Sequence, residues 1–560
     1  MKKIIFALLL GFTFIGFSQN TAIPDANFEQ ALIELGYDTA PINSSVPTAN
    51  ISSVTDLDVS TKGITDLTGI EDFTELTILN CTGNLLTNLD VSNNIALTSL
   101  YCYSNQLTSL DVSNNNALTE MFCRNNQLTS LEVTNNTELT ILSCEGNQLT
   151  SLDVSNNNAL TLLYCFNNQL TGLDVNANTQ LEFLNCTGNL LTGLNVNNNP
   201  ALIELICGAN ELESLDVSAN PALIALDCGL NQLTGLDVSL NTALIYLDCG
   251  LNELESLDVS QNTALIYLDC GFNELESLDV TANTELINLY CDNNQLTSLD
   301  FSNNTALTDL GCRNNQLTSL DFTNNIALTR LFCYNNQLTI LDFTNNIALT
   351  RLFCYDNQLT SLDVSQNTAL TGLDCSINQL TSLDVSNNPA LTQLICFQNQ
   401  LTSLDVNANT QLEFLYCFEN QLTSLDFRNE NNSIMIEFAS SNNPNLTCIF
   451  VDNPDYSTDN WFDVDASSTF VNNEAECEAL SIGDNAFELD VTIYPNPTDN
   501  YLFIEGNKNP ISISIYNLLG AEVISKSNTD KINVSELSNG VYIIRISDGI
   551  GQIDRKFIKN

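Results

Sequence analysis

A 21-residue unit decides the fold of this chain, and residues 97–117 show it in the form LTSLYCYSNQLTSLDVSNNNA. The chain has 560 residues, and its cysteines reveal how often the unit recurs. From Cys81 to Cys417 a cysteine stands at every step of 21 residues, which gives 17 cysteines in one column. A fixed period of this length is the signature of a solenoid, in which each unit stacks on the one before it.

The alternation of side chains within the unit predicts where its residues point. In the first half, LxxLxC, Leu100 and Cys102 face the core while Tyr101 faces outward, because neighbouring strand residues point to opposite sides. Stacking aligns these strands into a parallel sheet. The second half, LTSLDVSNN, repeats the pattern with Val in the place of Cys and predicts a second short strand. No helical period fits inside the unit, so the array is predicted to be nearly free of helices.

The half-unit LxxLxCxxN resembles the consensus of leucine-rich repeats, and the matching units carry this resemblance over residues 54–427. We therefore predict a mostly β protein, a leucine-rich-repeat solenoid of 21-residue repeats with parallel sheets. Solenoids of this kind offer extended concave surfaces for binding.

Polar residues inside the unit are predicted to be structural. Two asparagine columns, from Asn84 to Asn420 and from Asn94 to Asn409, are interpreted as buried amides that bond the turn backbone of neighbouring units. The column cysteines are predicted to be free and buried, since their parallel Cβ vectors suit the ~90° torsion of a disulfide poorly. The chain has no His, and one column supplies no tetrahedral cage, so no metal site is predicted there.

The N-terminal residues predict export. Lys2 and Lys3 precede an apolar run over residues 4–17, which indicates a signal peptide of residues 1–18 cleaved after Ser18. No later apolar run is long enough for a membrane span. Residues 19–53 are predicted to cap the array with a short helix that begins after Asp25 and ends at Gly36. The apolar face of this helix is predicted to contain Phe28, Ala31, Leu32 and Leu35.

The C-terminal residues leave the 21-residue register. Cys448 and Cys477 lie outside the cysteine column and are predicted to form a disulfide in a C-terminal cap, residues 428–480. A linker is predicted over residues 481–489. Residues 490–560 alternate apolar and polar side chains and predict a small antiparallel β-sandwich.

Short motifs in this last segment resemble the type A sorting domain of the type IX secretion system. The resemblance implies recognition by the type IX secretion machinery and a location that is secreted or on the outer cell surface. The residues that carry it are Tyr494, Pro495, Asn496, Pro497, Gly520, Gly540 and Tyr542.

Composition narrows the function. The formal charge is −52, from 67 acidic and 15 basic residues, which disfavours nucleic acid and anionic membranes as partners. Without His, the usual Ser or Cys nucleophile has no imidazole base, and no catalytic residue is predicted. The leading hypothesis is a secreted or cell-surface binding or adhesion protein with a protein or glycan ligand. The alternatives are a structural surface-layer or spacer protein and a polysaccharide-degrading enzyme, and no cofactor is predicted.

An outward carboxylate recurs in the second half-unit, and two interpretations of it stay open. The acidic column runs from Asp90 through Asp111 to Asp426 and is interrupted only by Asn195. The first interpretation is a solvated acidic face that keeps the protein soluble. The second is weak Ca²⁺ binding, because Ca²⁺ prefers carboxylate oxygens, although the spacing of dedicated calcium loops is absent.

Cations are rare in the array and all fall on one half of the unit. Between residues 76 and 427 they are Arg124, Arg313, Arg330 and Arg351, in or just after the first strand of a unit. Arginines beside outward aromatic residues are typical of interaction hot spots. Alternatively, the arginines neutralise nearby acids and the aromatic rings pack on one another. The predicted ligand-binding residues are Arg313, Arg330, Phe332, Tyr334, Arg351, Phe353 and Tyr355.

Overall fold

A computed structural model describes residues 19–483, 491–505, 512–547 and 552–560. The predicted signal peptide and most of the predicted linker lie outside these residues. The chain forms two compact units, one of them up to Asn445 with Trp461–Asp465, the other of Leu446–Asn460 and Ala466–Asn560. The described α-helices are Ala26–Glu34, Thr48–Ile51, Pro454–Asn460 and Glu474–Gly483, and short 3₁₀ turns cover Ile70–Asp72 and Asn432–Ile434.

The first helix covers the start of the array. Asp25 caps it, because its side chain accepts the N–H groups of Asn27 and Phe28 at 2.9 and 3.0 Å. Phe28, Ala31 and Leu32 are buried, as their spacing predicts. Leu35 is 45% exposed, contrary to the prediction, because the helix ends at Glu34 and Leu35 lies past its last turn.

A parallel sheet of 19 strands forms one side of the solenoid, and each strand pairs in register with residues one unit away. The prediction of in-register parallel strands is confirmed. The strands are Asp56–Asp58, Ile78–Asn80, Ser99–Tyr101, Glu120–Phe122, Ile141–Ser143, Leu162–Tyr164, Phe183–Asn185, Glu204–Ile206, Ala225–Asp227, Tyr246–Asp248, Tyr267–Asp269, Asn288–Tyr290, Asp309–Gly311, Arg330–Phe332, Arg351–Phe353, Gly372–Asp374, Gln393–Ile395, Phe414–Tyr416 and Glu437–Ala439.

The last of these strands continues the sheet beyond residue 427, where the cysteine column has ended. Phe438 takes the place of the central Leu, and Ser440 takes the place of the cysteine. Asn443 then donates to the carbonyl oxygens of Cys417 and Ser440, at 3.0 and 2.9 Å, as the column asparagines do. The final turn thus keeps the hydrogen bonds of the repeat after its sequence has changed.

Leu, Cys and Asn columns fill the core of the solenoid. All 17 column cysteines are buried and free, and burial raises the pKa of the Cys81 thiol to about 12. Asn105 is typical of the first asparagine column. Its Nδ2 donates to the carbonyl oxygens of Cys81 and Cys102, at 3.0 and 3.1 Å, and its Oδ1 accepts the N–H of Leu86 at 3.0 Å. Each such amide therefore joins neighbouring turns, as predicted.

The second half-unit forms much less strand than predicted. Early in the array it makes isolated bridges, such as the one between Asp90 and Asp111. The Asp side chain accepts the backbone N–H two residues later, as Asp111 does from Ser113 at 2.9 Å, so the backbone turns directly after Asp. Full strands occur only near the end of the array, at Ser403–Asp405 and Ser424–Phe427.

Shorter sheets complete the described chain. Asn20–Ala22 pairs antiparallel with Ser45–Pro47 in the first unit. In the second unit, Cys448–Val451 pairs parallel with Thr469–Val471, and Cys448 forms a disulfide with Cys477.

The C-terminal residues form two antiparallel sheets. One contains Thr492–Tyr494, Tyr501–Glu505 and Lys531–Asn533, the other Ser512–Asn517, Glu522–Ser527, Gly540–Ser547 and Gln552–Lys559. Apolar residues of both sheets share one core, among them Leu502, Ile515, Ile532, Ile544 and Phe557. The predicted small β-sandwich is confirmed.

Candidate recognition face

The parallel sheet presents a continuous outer surface whose side chains come from every turn. The central residue of each strand is buried, while the first and third residues, and the residue after each column cysteine, point outward. We call this surface the sheet face. Because each outward position repeats once per turn, equivalent residues of neighbouring units form columns along the face.

The predicted ligand-binding residues lie together on three neighbouring turns of the sheet face. The rings of Phe332 and Phe353 meet edge to face with centroids 5.4 Å apart, and those of Tyr334 and Tyr355 stack at 4.1 Å. We call this cluster the arginine–aromatic patch: Arg313, Arg330, Phe332, Tyr334, Arg351, Phe353 and Tyr355. The aromatic rings therefore already pack on one another across the strands.

The three arginines of the patch differ in their partners. Arg330 pairs with the buried Asp309 of the preceding strand, while its own side chain is 46% exposed. Arg313 lies 3.3 Å from Asp292 and donates to the hydroxyl of Tyr334. Burial raises the pKa of Asp292 to about 6, although the nearby Arg313 acts to lower it.

Arg351 differs from the other two arginines of the patch in its partners. Its side chain is exposed, and among the described residues it has no ion-pair partner. Two arginines of the patch thus neutralise acids within the protein, and the third adds an uncompensated positive charge beside stacked rings. Such a surface offers stacking area and guanidinium donors at the same time.

A second feature of the sheet face lies three to five turns before the turn of Arg330 and was missed from the sequence. Asp227, Asp248 and Asp269 occupy the third strand position of consecutive turns, flanked by Tyr246 and Tyr267 at the first position. The residue after each of the three column cysteines is Gly. The repeated sequence YLDCG contains the Tyr, Asp and Gly of this feature. Their arrangement in neighbouring rows becomes evident only once the turns are stacked.

The described residues contain no group of three or more Cys, Asp or Glu side chains arranged to hold a metal ion. In the acidic column, each Asp keeps one oxygen occupied by the backbone N–H two residues later. Hydrogen bonds from Ser113 lower the pKa of Asp111 in this way. The two interpretations of this column stay as predictions.

The predicted sorting motif is tied into the C-terminal sandwich. Asn496 donates to the carbonyl oxygen of Lys556 at 3.1 Å and accepts the N–H of Ile558 at 2.9 Å, so the Pro-rich turn holds the last strand. Tyr542 donates to the carbonyl oxygen of Ser538 at 3.0 Å and stacks on Phe557. No described helix is long and apolar enough to cross a membrane.

Comparison with known proteins agrees with both parts of this architecture. Residues 492–560 match the family described as "Secretion system C-terminal sorting domain". The functional domain of InlJ from Listeria monocytogenes, which includes a cysteine ladder, is 28% identical with a TM-score of 0.50, over 97% of this chain and 98% of that chain. No curated protein matches the chain in sequence.

Two further solved structures share the fold of the array. YopM from Yersinia enterocolitica is 24% identical with a TM-score of 0.55, over 79% of this chain and 99% of that chain. A leucine-rich-repeat protein of Leptospira interrogans is 23% identical with a TM-score of 0.54, over 66% of this chain and 97% of that chain. The chain is therefore a leucine-rich-repeat solenoid followed by a type IX sorting domain, and the protein is secreted or held on the outer cell surface.

Proposed function

We propose that this protein is a binding or adhesion protein whose sheet face recognises a protein or a glycan outside the cell. One observation carries the proposal: the sheet face varies from turn to turn while the second half-unit repeats. Residues 107–115, 149–157 and 380–388 all read LTSLDVSNN. The sheet strands of the same three units read SLY, ILS and GLD.

This asymmetry favours recognition over a purely structural role. A surface that only stacks tolerates identical copies, whereas a surface that recognises a ligand needs different side chains at different places. The variable columns include the arginine–aromatic patch, where exposed guanidinium and ring surfaces meet. A spacer or surface-layer protein gives no reason for variation on one face alone.

The test removes the patch and leaves the fold intact. We expect the combined change of Arg330, Arg351, Phe332 and Phe353 to Ser to abolish attachment of the purified chain to immobilised glycans, host proteins or bacterial surface polymers. The melting temperature should fall by only a few degrees, because each ring contact is worth about 1 kcal/mol and the one ion pair that is lost is that of Arg330 with Asp309.

A matched control removes exposed apolar surface from the same units outside the sheet face. Changing Ile326, Ile340 and Ile347 to Ser should leave attachment unchanged, since these residues are exposed and belong to the second half-unit or the turns beside it. Attachment that survives the patch variant but is lost in the control would move the site to the other face. A chain that attaches to nothing in the panel would favour the spacer role.

A further inference from the structure

Five consecutive turns of the sheet face depart together from the pattern of the chain. In most other units a Thr precedes the strand, and its Oγ1 donates to the carbonyl oxygen of the Thr one turn earlier, as Thr98 does to Thr77 at 3.1 Å. In these five units the Thr is replaced by an Ile that is 37–40% exposed. A hydrogen bond is exchanged for exposed apolar surface, which points to an interaction. The residues are Ile203, Ile224, Ile245, Ile266 and Ile287.

Next to this apolar column lies a row of half-buried carboxylates. The N–H of Gly229 donates to Oδ1 of Asp227 at 3.1 Å, and Asp248 and Asp269 accept equivalent bonds from the glycines that follow them. Each carboxylate also lies over the turn before it. A Cβ on Gly229 would come within 2.9 Å of Oδ1 of Asp248, so glycine is required for the row to form.

Two walls border this row. On one side the rings of Tyr246 and Tyr267 stack with centroids 4.5 Å apart. On the other side lie Leu230, Leu251 and Phe272, which are 54%, 47% and 46% exposed. Their φ angles are 55–56°, a left-handed conformation that suits Gly or Asn and disfavours bulky side chains. Large apolar residues at a strained and half-exposed position contribute less to folding than buried ones do.

The row is negative, and the charge of Arg313 acts on its last member, Asp269, whose pKa it works to lower. Among the described residues, none forms an ion pair with Asp227, Asp248 or Asp269, and none donates to their second oxygens. Burial raises the pKa of Asp248 to about 6 and also raises that of Asp227 and Asp269. A basic group placed here would meet carboxylates that water solvates poorly, which strengthens the attraction.

We propose that this aspartate groove binds an extended, lysine- or arginine-rich segment of a partner protein. Its ammonium or guanidinium groups meet the Asp row, and their aliphatic stems pack on the tyrosines and on Leu230, Leu251 and Phe272. The two walls are five residues apart along the chain, so they lie at most about 17 Å apart, which leaves room for one extended polypeptide. The proposal deepens the proposed function, since it gives the sheet face a second site and a class of partner.

The experiment measures binding of a defined probe to the full exported chain. The probe is a fluorescein-labelled peptide of alternating Lys and Thr, and a peptide of alternating Glu and Thr is the comparison. We expect saturable binding of the Lys peptide at physiological salt and none of the Glu peptide. The combined Asp227→Asn, Asp248→Asn and Asp269→Asn variant should weaken binding at least about tenfold, since it keeps the shape of the row and removes its charge.

A control with the same charge change separates the groove from the net charge of −52. Asp216→Asn, Asp237→Asn and Asp258→Asn neutralise three carboxylates of the acidic column in the same part of the array. We expect this variant to change binding less than about twofold, because exposed charges contribute little. Equal weakening by both triple variants would overturn the proposal, and so would equal binding of a neutral oligosaccharide.

A wall variant keeps the test decisive if the triple Asn variant folds poorly. Leu230→Asn, Leu251→Asn and Phe272→Asn place a residue that tolerates the left-handed conformation at each site. The melting temperature should therefore rise or hold while peptide binding weakens several-fold. Unchanged binding in this variant would contradict the proposed walls. A chain that attaches to its ligand through the arginine–aromatic patch but ignores the Lys peptide would overturn the groove alone.

Discussion

Two asparagines of one turn, Asn210 and Asn220, are expected to stabilise the protein by different amounts although both are buried. Asn210 belongs to the column that follows the cysteines. Its Nδ2 donates to the carbonyl oxygens of Cys186 and Cys207, at 3.1 and 3.0 Å, and its Oδ1 accepts the N–H of Leu191 at 3.1 Å. All of its polar atoms are therefore used.

Asn220 belongs to the second column and uses only half of its amide. Its Nδ2 donates to the carbonyl oxygens of Val196 and Asn199, at 2.9 and 2.8 Å. Its Oδ1 is buried, and no described residue donates to it. An acceptor buried without a partner lowers stability, because it has given up its hydrogen bonds to water.

The difference between the two Ala variants follows from this contrast. Either change removes hydrogen bonds to carbonyl oxygens that keep another donor, and it leaves a cavity of similar size, so those losses are similar in the two variants. Asn210→Ala also leaves the N–H of Leu191 without an acceptor, at a cost of about 1–3 kcal/mol. Asn220→Ala instead removes an unpaired oxygen whose burial costs about 1–3 kcal/mol. Asn210→Ala should therefore lower the free energy of unfolding by about 2–6 kcal/mol more than Asn220→Ala does.

Urea unfolding followed by circular dichroism measures the difference, with both variants in the full exported chain. The comparison is internal, since the same array unfolds in each case and the slope against urea should agree between variants. Equal losses, or a larger loss for Asn220→Ala, would refute the reasoning and indicate that Oδ1 of Asn220 has a strong partner after all.

Three further outcomes are expected. Thiol titration should find little reactivity in the folded chain and about 17 thiols after unfolding. The reason is that the column cysteines are buried and free, while Cys448 and Cys477 form a disulfide. A count of one or two thiols in denaturant would contradict this prediction. The folded pKa of Asp248, about 6, is above its ordinary value, so stability should fall as pH rises from about 4 to 6. Asp248→Asn should remove that part of the pH dependence and raise the free energy of unfolding by about 1–2 kcal/mol at pH 8, after allowance for solvent at the side chain. A steeper dependence of stability on pH in the variant would refute this prediction. Because acidic-column residues such as Asp111 already hold a backbone N–H, millimolar Ca²⁺ should raise the melting temperature no more than NaCl of equal ionic strength, and a specific rise would establish Ca²⁺ binding.

The solenoid could be predicted because every unit repeats the same period and the same inward-facing residues. Leu100 and Cys102 alternate with Tyr101, and a 21-residue step then fixes both the parallel register and the buried columns. The shortness of the strands in the second half-unit could not be predicted, because the second half-unit has nearly the same pattern of apolar residues as the first. These strands are short because the Asp side chain accepts the backbone N–H two residues later. This local hydrogen bond competes with the pairing of neighbouring strands.

The candidate sites, too, could be predicted from the sequence only in part. The arginine–aromatic patch was visible because Arg, Phe and Tyr are rare in the array and fall at outward positions. The ion pair of Arg330 with Asp309 was not, since it joins residues 21 positions apart with no motif around them. The aspartate groove depends on Gly, Asp and a left-handed Leu from neighbouring turns, and only stacking brings these together. The ligand itself is not written in the repeats at all.

The uniform register of the sheet has a consequence for how this protein can change. Because the strands between Ile78 and Tyr416 pair with residues 21 positions away, removing or adding one whole unit there rejoins equivalent surfaces, and each new neighbour finds the same Leu, Cys and Asn partners. Insertion of only part of a unit does not rejoin equivalent surfaces, because it shifts the Leu, Cys and Asn columns out of register together. The length of the array can therefore change by recombination between units while the core contacts of the repeat are kept.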